Sequence, residues 1–237
     1  MLGRRDFLRH TVVGAVAVSM ASRAHAQAAK IKPGPRDVLL VVDVQNDFIP
    51  GGALPVNEGD AIVPLVNKLA AGFEHVILTQ DWHPSGHSSF ASTHKGQPFA
   101  TIRLDYGEQT LWPDHCVQGT RGAEFHPDLV LQHSELVLRK GFRKEIDSYS
   151  SFYENDRTTK TGLCGYLRDR GLKRLFMCGL ATDFCVAWSA LDGRREGFPV
   201  VLLEDACRAI DLNGSLVAAR GEMIRAGITV TDSGHIA

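Results

Sequence analysis

Three reactive side chains stand at the ends of apolar or turn-like segments. Asp43 closes the run DVLLVVD and Lys140 closes ELVLRK. Cys185 follows the turn Gly179-Leu180-Ala181-Thr182 at the start of a helical pattern. A thiol in the first turn of a helix lies beside N–H groups that have no partner, and the positive end of the helix dipole favours a thiolate there. Thr182 or Asp183 is placed to cap that helix. Taken alone, the cysteine reads equally well as an inert buried thiol. Asp43 and Lys140 change the balance, because an unpaired charge at the end of a buried strand is costly and each needs the other or a third partner. A carboxylate that takes the thiol proton and hands it to a leaving group, with an ammonium beside it, completes a nucleophile–base–orienter set.

A second set of residues has the composition of a metal site. DWH supplies Asp81 and His83, and the more distant WPDHC supplies His115. One carboxylate and two imidazoles suit a divalent ion with positions left open, zinc first and iron or manganese after it. On its own a D-x-H pair with a remote histidine is a weak signal. His83 and His87 have the i, i+4 spacing of helical ligands, but Pro84 and Gly86 argue against a helix there. Ser89, His87, His94 or water remain as the fourth ligand. Cys116 adjoins His115 in an extended segment, where successive side chains point apart, so it is expected to be structural.

The elements that must position these residues follow from hydrophobic periodicity. DVLLVVD (37–43), HVILTQD (75–81), ELVLRK (135–140), RLFMCG (174–179), PVVLLED (199–205) and GITVTD (227–232) read as strands. Helical patterns occupy 59–72, 163–170, 182–196 and 215–226. Solid apolar strands separated by amphipathic helices predict an α/β fold. Its central sheet is mostly parallel and flanked by helices on both faces, in one Rossmann-like three-layer domain. Ligands of such sheets bind beyond the carboxyl ends of the strands, so Asp43, Asp81, Lys140 and the turn before Cys185 are expected to converge. The stretch 82–134 shows no clear periodicity and is read as a long functional loop.

Residues 1–26 are set apart from the fold. Arg4-Arg5 before Phe7-Leu8, an apolar run of about eleven residues and Ala24-His25-Ala26 resemble a cleavable twin-arginine export signal. That run falls well short of the ~20 residues that span a bilayer, so no stable membrane anchor is expected. The reading implies export machinery as a partner and a periplasmic protein, or a cytoplasmic one if the signal is not used. Residues 27–237 then form the domain. The segment carries four arginines against Asp6, so its removal takes the formal charge from −1 to −4. That balance gives no electrostatic footprint for nucleic acid. The five cysteines are odd in number and contain no C-x-x-C pair, so no disulfide framework is expected.

Five segments carry a family resemblance in order: VVDVQNDFIPGGALPV, TQDWHPSGHSSFASTH, LWPDHCVQGTRGAEFHPDL, KGFRKEIDSYSSF and GLATDFCV. Together they resemble the nicotinamidase (pyrazinamidase) family of isochorismatase-like cysteine hydrolases, over essentially all of 37–232. The resemblance implies a catalytic triad of Asp43, Lys140 and Cys185, and an oxyanion hole from the N–H groups of Ala181 and Cys185 beside a cis Leu180–Ala181 peptide. It also implies one divalent ion on Asp81, His83 and His115, receiving the ring nitrogen of the substrate. Phe48 and Trp112 would wall the pyridine ring, with Tyr149 as a third side. The implied reaction converts nicotinamide to nicotinate and ammonia through a thioester, with pyrazinamide also accepted, and belongs to NAD salvage. The alternatives are a carbamoyl or ureido amidase of the same fold, or a non-catalytic exported protein that binds metal or a pyridine. Self-association into a homo-oligomer stays open.

Overall fold

Strand β1 (Asp37–Val42) is buried along its whole length, as an uninterrupted apolar run must be when helices cover both faces of a sheet. In the computed structural model, which describes residues 30–237, it lies at the middle of a six-stranded parallel sheet. The expected export signal lies outside the described residues. Its sheet neighbours are β2 (His75–Asp81) and β6 (Arg174–Leu180). Beyond β2 comes β5 (Leu136–Lys140), and beyond β6 come β7 (Val200–Arg208) and β8 (Thr229–Thr231), giving the order β5-β2-β1-β6-β7-β8. All six are the strands read from periodicity. The inner ones are solid runs of buried residues, whereas the edge strand β5 alternates between more and less buried positions.

Four helices connect them: α1 (Val63–Ala70), α2 (Leu163–Asp169), α3 (Ala187–Arg195) and α4 (Ser215–Arg225). Each is shorter than the pattern that announced it. Before α1 the chain winds as a 3-10 turn over Gly59–Ile62, and Pro64 then sits in the first helical turn, where its missing N–H costs nothing. Right-handed crossovers run one way from β1 to β2 and the other way from β5 through β6 to β8. They therefore place α1 on one face and α2, α3 and α4 on the other. The direction reverses between β1 and β6, and a crevice opens at their carboxyl ends.

The segment 82–134 is not structureless. It contains a two-stranded antiparallel hairpin, β3 (Thr101–Leu104) with β4 (Gly107–Thr110), detached from the main sheet. Its strands are only four residues long, too short for a period to stand out from the surrounding loop. All five cysteines are buried and unpaired. No helix among the described residues is long and apolar enough to cross a membrane.

Candidate active site

Strand register does most of the positioning. Asp81 and Lys140 are direct partners across β2 and β5, and Val42 pairs with Gly179 across β1 and β6, so Asp43 emerges beside the turn that leads to Cys185. Two glycines permit this crowding. A Cβ on Gly179 would lie 2.1 Å from the Val42 carbonyl oxygen, and its φ of 118° suits only glycine. A Cβ on Gly141, just after Lys140, would lie 2.4 Å from the His83 ring.

The Lys140 ammonium is fully buried and has four neighbours. Asp43 Oδ2 lies at 2.7 Å, Asp81 Oδ1 at 2.8 Å, the Ser148 carbonyl at 3.1 Å and Cys185 Sγ at 3.3 Å. Asp43 Oδ1 accepts from the Thr79 hydroxyl at 2.6 Å. Oδ2 forms the ion pair but has no aligned hydrogen bond, so it keeps a lone pair for an incoming proton. Burial works against the Lys140 charge, yet Asp43 and Asp81 outweigh it and hold the ammonium well above its ordinary pKa. The two carboxylates divide. Burial pushes Asp43 up, with the Asp81 charge adding to the rise and Lys140 only partly opposing it. Burial also disfavours the Asp81 anion, but His83 and Lys140 more than compensate and hold it well below the ordinary range. One acid is kept ionised and its neighbour is poised to carry a proton.

Cys185 differs from the sequence expectation in two respects. Its segment is not the first turn of an α-helix: Thr182–Val186 forms a π-helical turn that runs into α3. Neither Thr182 nor Asp183 caps it, because the turn starts from Ala181 with no side-chain cap and the Asp183 carboxylate faces elsewhere, accepting from the Ile210 and Asp211 N–H groups and the Ser215 hydroxyl. Nor does the site favour a resting thiolate. Burial pushes the thiol well above its ordinary pKa, the Lys140 ammonium pulls it down only in part, and Asp43 and Asp81 add to the rise. The Leu180–Ala181 peptide is cis, as the family resemblance implies, and the Ala181 carbonyl is taken by the Phe184 and Val186 N–H groups.

The carboxylate and two imidazoles come together as a buried cluster. Asp81 Oδ2 lies 3.0 Å from His83 Nε2 and 3.4 Å from His115 Nε2. The other ring nitrogens face carbonyls, His83 Nδ1 at Gly141 and His115 Nδ1 at Pro113. A neutral ring that donates through Nδ1 presents the Nε2 lone pair inward, the outer contact that histidine ligands typically have. The donor set therefore fits a divalent cation. His94 is exposed and bonded to the Ser88 carbonyl, outside this cluster. His87 Nδ1 takes the Ser89 N–H and sits beside its hydroxyl, its Nε2 faces the Ile146 carbonyl, and burial lowers its pKa to about 4. Cys116 is buried beneath His115, with its N–H on Asp47, in keeping with a structural role.

A narrow cavity lies over these groups. Phe48, Trp112, Tyr149, Ala181 and Cys185 line it with Asp81 and His115. Sequence reasoning missed Leu54, Asp147, Phe184 and Ile210, which line it too. Phe184 adjoins the nucleophile candidate and Asp147 lies within KEIDSYSSF, so position could have signalled both. Leu54 and Ile210 carry no chemical signature.

Known proteins resemble this chain over most of its length. The isochorismatase domain family matches residues 37–234. The nicotinamidase of Acinetobacter baylyi is 52% identical over 208 residues, covering 87% of this chain and 97% of that protein. Among solved structures, an Acinetobacter baumannii nicotinamidase and pyrazinamidase has a TM-score of 0.84 at 55% identity, covering 85% of this chain and 98% of that one. PnC1 from L. infantum in complex with nicotinate gives 0.78 at 40%, covering 88% and 98%. The pyrazinamidase of Pyrococcus horikoshii in complex with zinc gives 0.68 at 37%, covering 84% and 99%.

If Lys140 carries the cluster electrostatically, Lys140→Ala should destabilise the fold by about 3 kcal/mol, the usual scale for stranding buried charge. Urea denaturation measures this, and an unchanged midpoint would show that the two carboxylates do not need the ammonium.

Proposed function

The chain belongs to the isochorismatase family, and from that premise we infer its reaction: it is an amidohydrolase that converts nicotinamide to nicotinate and ammonia and also acts on pyrazinamide. The observation that carries this reading is the buried contact of Lys140 with Asp43, Asp81 and Cys185 at the floor of an aromatic-walled cavity.

The chemical path is proposed from the same geometry. Cys185 Sγ attacks the amide carbon while its proton passes to Asp43. The carbonyl oxygen, as it gains charge, is held by the Ala181 and Cys185 N–H groups. Asp43 returns the proton to the amide nitrogen, the C–N bond breaks, and ammonia leaves a thioester on Cys185. Asp43 then takes a proton from water, whose oxygen attacks the thioester. Nicotinate departs and the sulfur regains a proton. Lys140 keeps Asp43 oriented and keeps the neighbouring Asp81 ionised throughout. Phe48, Trp112 and Tyr149 would enclose the ring.

Asp81, His83 and His115 would hold one divalent ion, with zinc favoured by the zinc-bound relative. When bound, that ion supplies a Lewis-acidic anchor for the ring nitrogen. The chain's own contribution is to aim two imidazole lone pairs and one carboxylate oxygen at the same point.

The product would enter NAD salvage, and residues 1–26 would direct export to the periplasm, with 27–237 as the mature domain. The Arg4-Arg5 pair and the apolar run after it support that placement.

Paired variants test the reaction. Cys185→Ala should reduce ammonia release from nicotinamide at least ~1000-fold while keeping wild-type metal content. His115→Ala should lose bound metal and substrate affinity with Cys185 still alkylatable. Turnover above a tenth of wild type in the first, or full metal in the second, contradicts the assignment. For export, Arg4→Lys with Arg5→Lys should retain the precursor in the cytoplasm of the producing cell; normal periplasmic accumulation would exclude a twin-arginine route.

A further inference from the structure

The hairpin β3–β4 is outside the catalytic machinery, yet it inserts one buried polar side chain behind the cavity wall. Gln109, only 1% exposed, lies on β4. Its Nε2, with two hydrogens to share, faces three acceptors: Asp147 Oδ2 at 2.9 Å, the Tyr149 hydroxyl at 3.1 Å and the Thr110 carbonyl at 2.7 Å. Its Oε1 accepts from the Tyr106 hydroxyl at 3.0 Å and from Asn155 Nδ2 at 3.3 Å. The orientation of the amide is therefore fixed, since reversing it would press an oxygen against a carboxylate and a carbonyl. Asn155 closes the ring of contacts by accepting the Tyr149 N–H at 3.0 Å.

The hydroxyl of Tyr149 is then determined by counting. It receives the Trp112 Nε1–H at 2.9 Å as well as the Gln109 amide. Indole nitrogen and amide nitrogen can only donate, so the phenolic oxygen is the acceptor in both bonds. Its own hydrogen has no acceptor among the described residues, and Tyr149 lines the cavity. Tyr149 and Trp112 thus form a polar-tipped wall whose position is set from behind, and Asp147, which also lines the cavity, hangs on the same amide.

We propose that Gln109 is a positioning residue for the ring-binding wall: it fixes Asp147 and, through the Tyr149 hydroxyl, Trp112, leaving the phenolic hydrogen of Tyr149 free to donate to the bound heteroaromatic amide. The inference rests on the nicotinamide reading above and extends it to a residue that touches neither substrate nor the reacting atoms. Because Gln109 bonds to Asp147 and Tyr149 of the wall and has no bond to Lys140, Asp43 or Cys185, its loss weakens ring binding and spares the chemical step.

Steady-state kinetics on nicotinamide with the metal-loaded full chain test this through Gln109→Leu, Tyr149→Phe and the double variant. Gln109→Leu should raise KM about tenfold with kcat within about threefold of wild type, the scale of one lost buried hydrogen-bond partner. The double variant should be no more than about twofold worse than the poorer single one, because both changes break the same linkage. A KM within twofold of wild type in active Gln109→Leu, even with a lowered Tm, makes the residue merely structural and overturns the proposal. Multiplying costs in the double variant overturn it as well. Should Gln109→Leu not fold, Gln109→Glu keeps the length and the acceptor and removes the donors, with the same rise in KM expected. An inactive wild type would strike the reaction itself, whereas a wild-type-like KM strikes only this inference.

Discussion

The buried ammonium of Lys140 is the constraint on which the other site residues depend. Two carboxylates and a thiol within reach of one another, nearly excluded from water, would be untenable without a positive charge among them. Lys140 supplies that charge and, by touching both Asp43 and Asp81, makes their environments unequal. Asp81 has two histidines as further partners and stays ionised. Asp43 has one hydroxyl and one unaligned oxygen, and its affinity for a proton rises. The contrast between an acid kept ionised and an acid drawn toward protonation therefore comes from their neighbours, not from their side-chain type.

The fold meets this constraint through register. Parallel strands bring their carboxyl ends to one edge, and the reversal of strand order between β1 and β6 opens the crevice there. Asp81 and Lys140 are locked opposite each other by β2–β5 pairing. Gly179 and Gly141 let backbone and ring approach where any side chain would collide. Gln45 adds a further tie, donating to the Asp81 carbonyl and accepting its N–H, so the loop after β1 and the end of β2 move as one piece.

Much of this was legible in the sequence because the positioning elements are simple. Six short runs rich in apolar and β-branched residues, most of them buried, read as strands, and the closing residues of β2 and β5 and the residue after β1 meet at one end of the sheet. The ordered segments from VVDVQNDF to GLATDFCV pointed to residues that the structure brings together. What could not be read has physical causes. The hairpin 101–110 has strands of only four residues, too short for the alternation of Thr101–Leu104 to stand out from the surrounding loop, so its place behind the cavity was invisible. The turn 182–186 is π-helical, a geometry with no compositional mark, and the Asp183 carboxylate that looked like a cap is drawn to the loop at Ile210 and Ser215. A rule about helix starts also misjudged the thiol. It weighs the dipole and free N–H groups, whereas burial beside two acids decides the matter here.

The protonation of Cys185 at rest follows from that balance and bears on the whole mechanism, since a thiol needs Asp43 as its proton acceptor and a thiolate does not. The direct measurement is the rate of Cys185 alkylation by iodoacetamide against pH in the ligand-free protein, with Cys185→Ala as the blank. The account predicts a midpoint above the ordinary cysteine value of about 8.5 and slow labelling at neutral pH. Fast labelling with a midpoint below that value would show a resting thiolate and remove Asp43 from the first step.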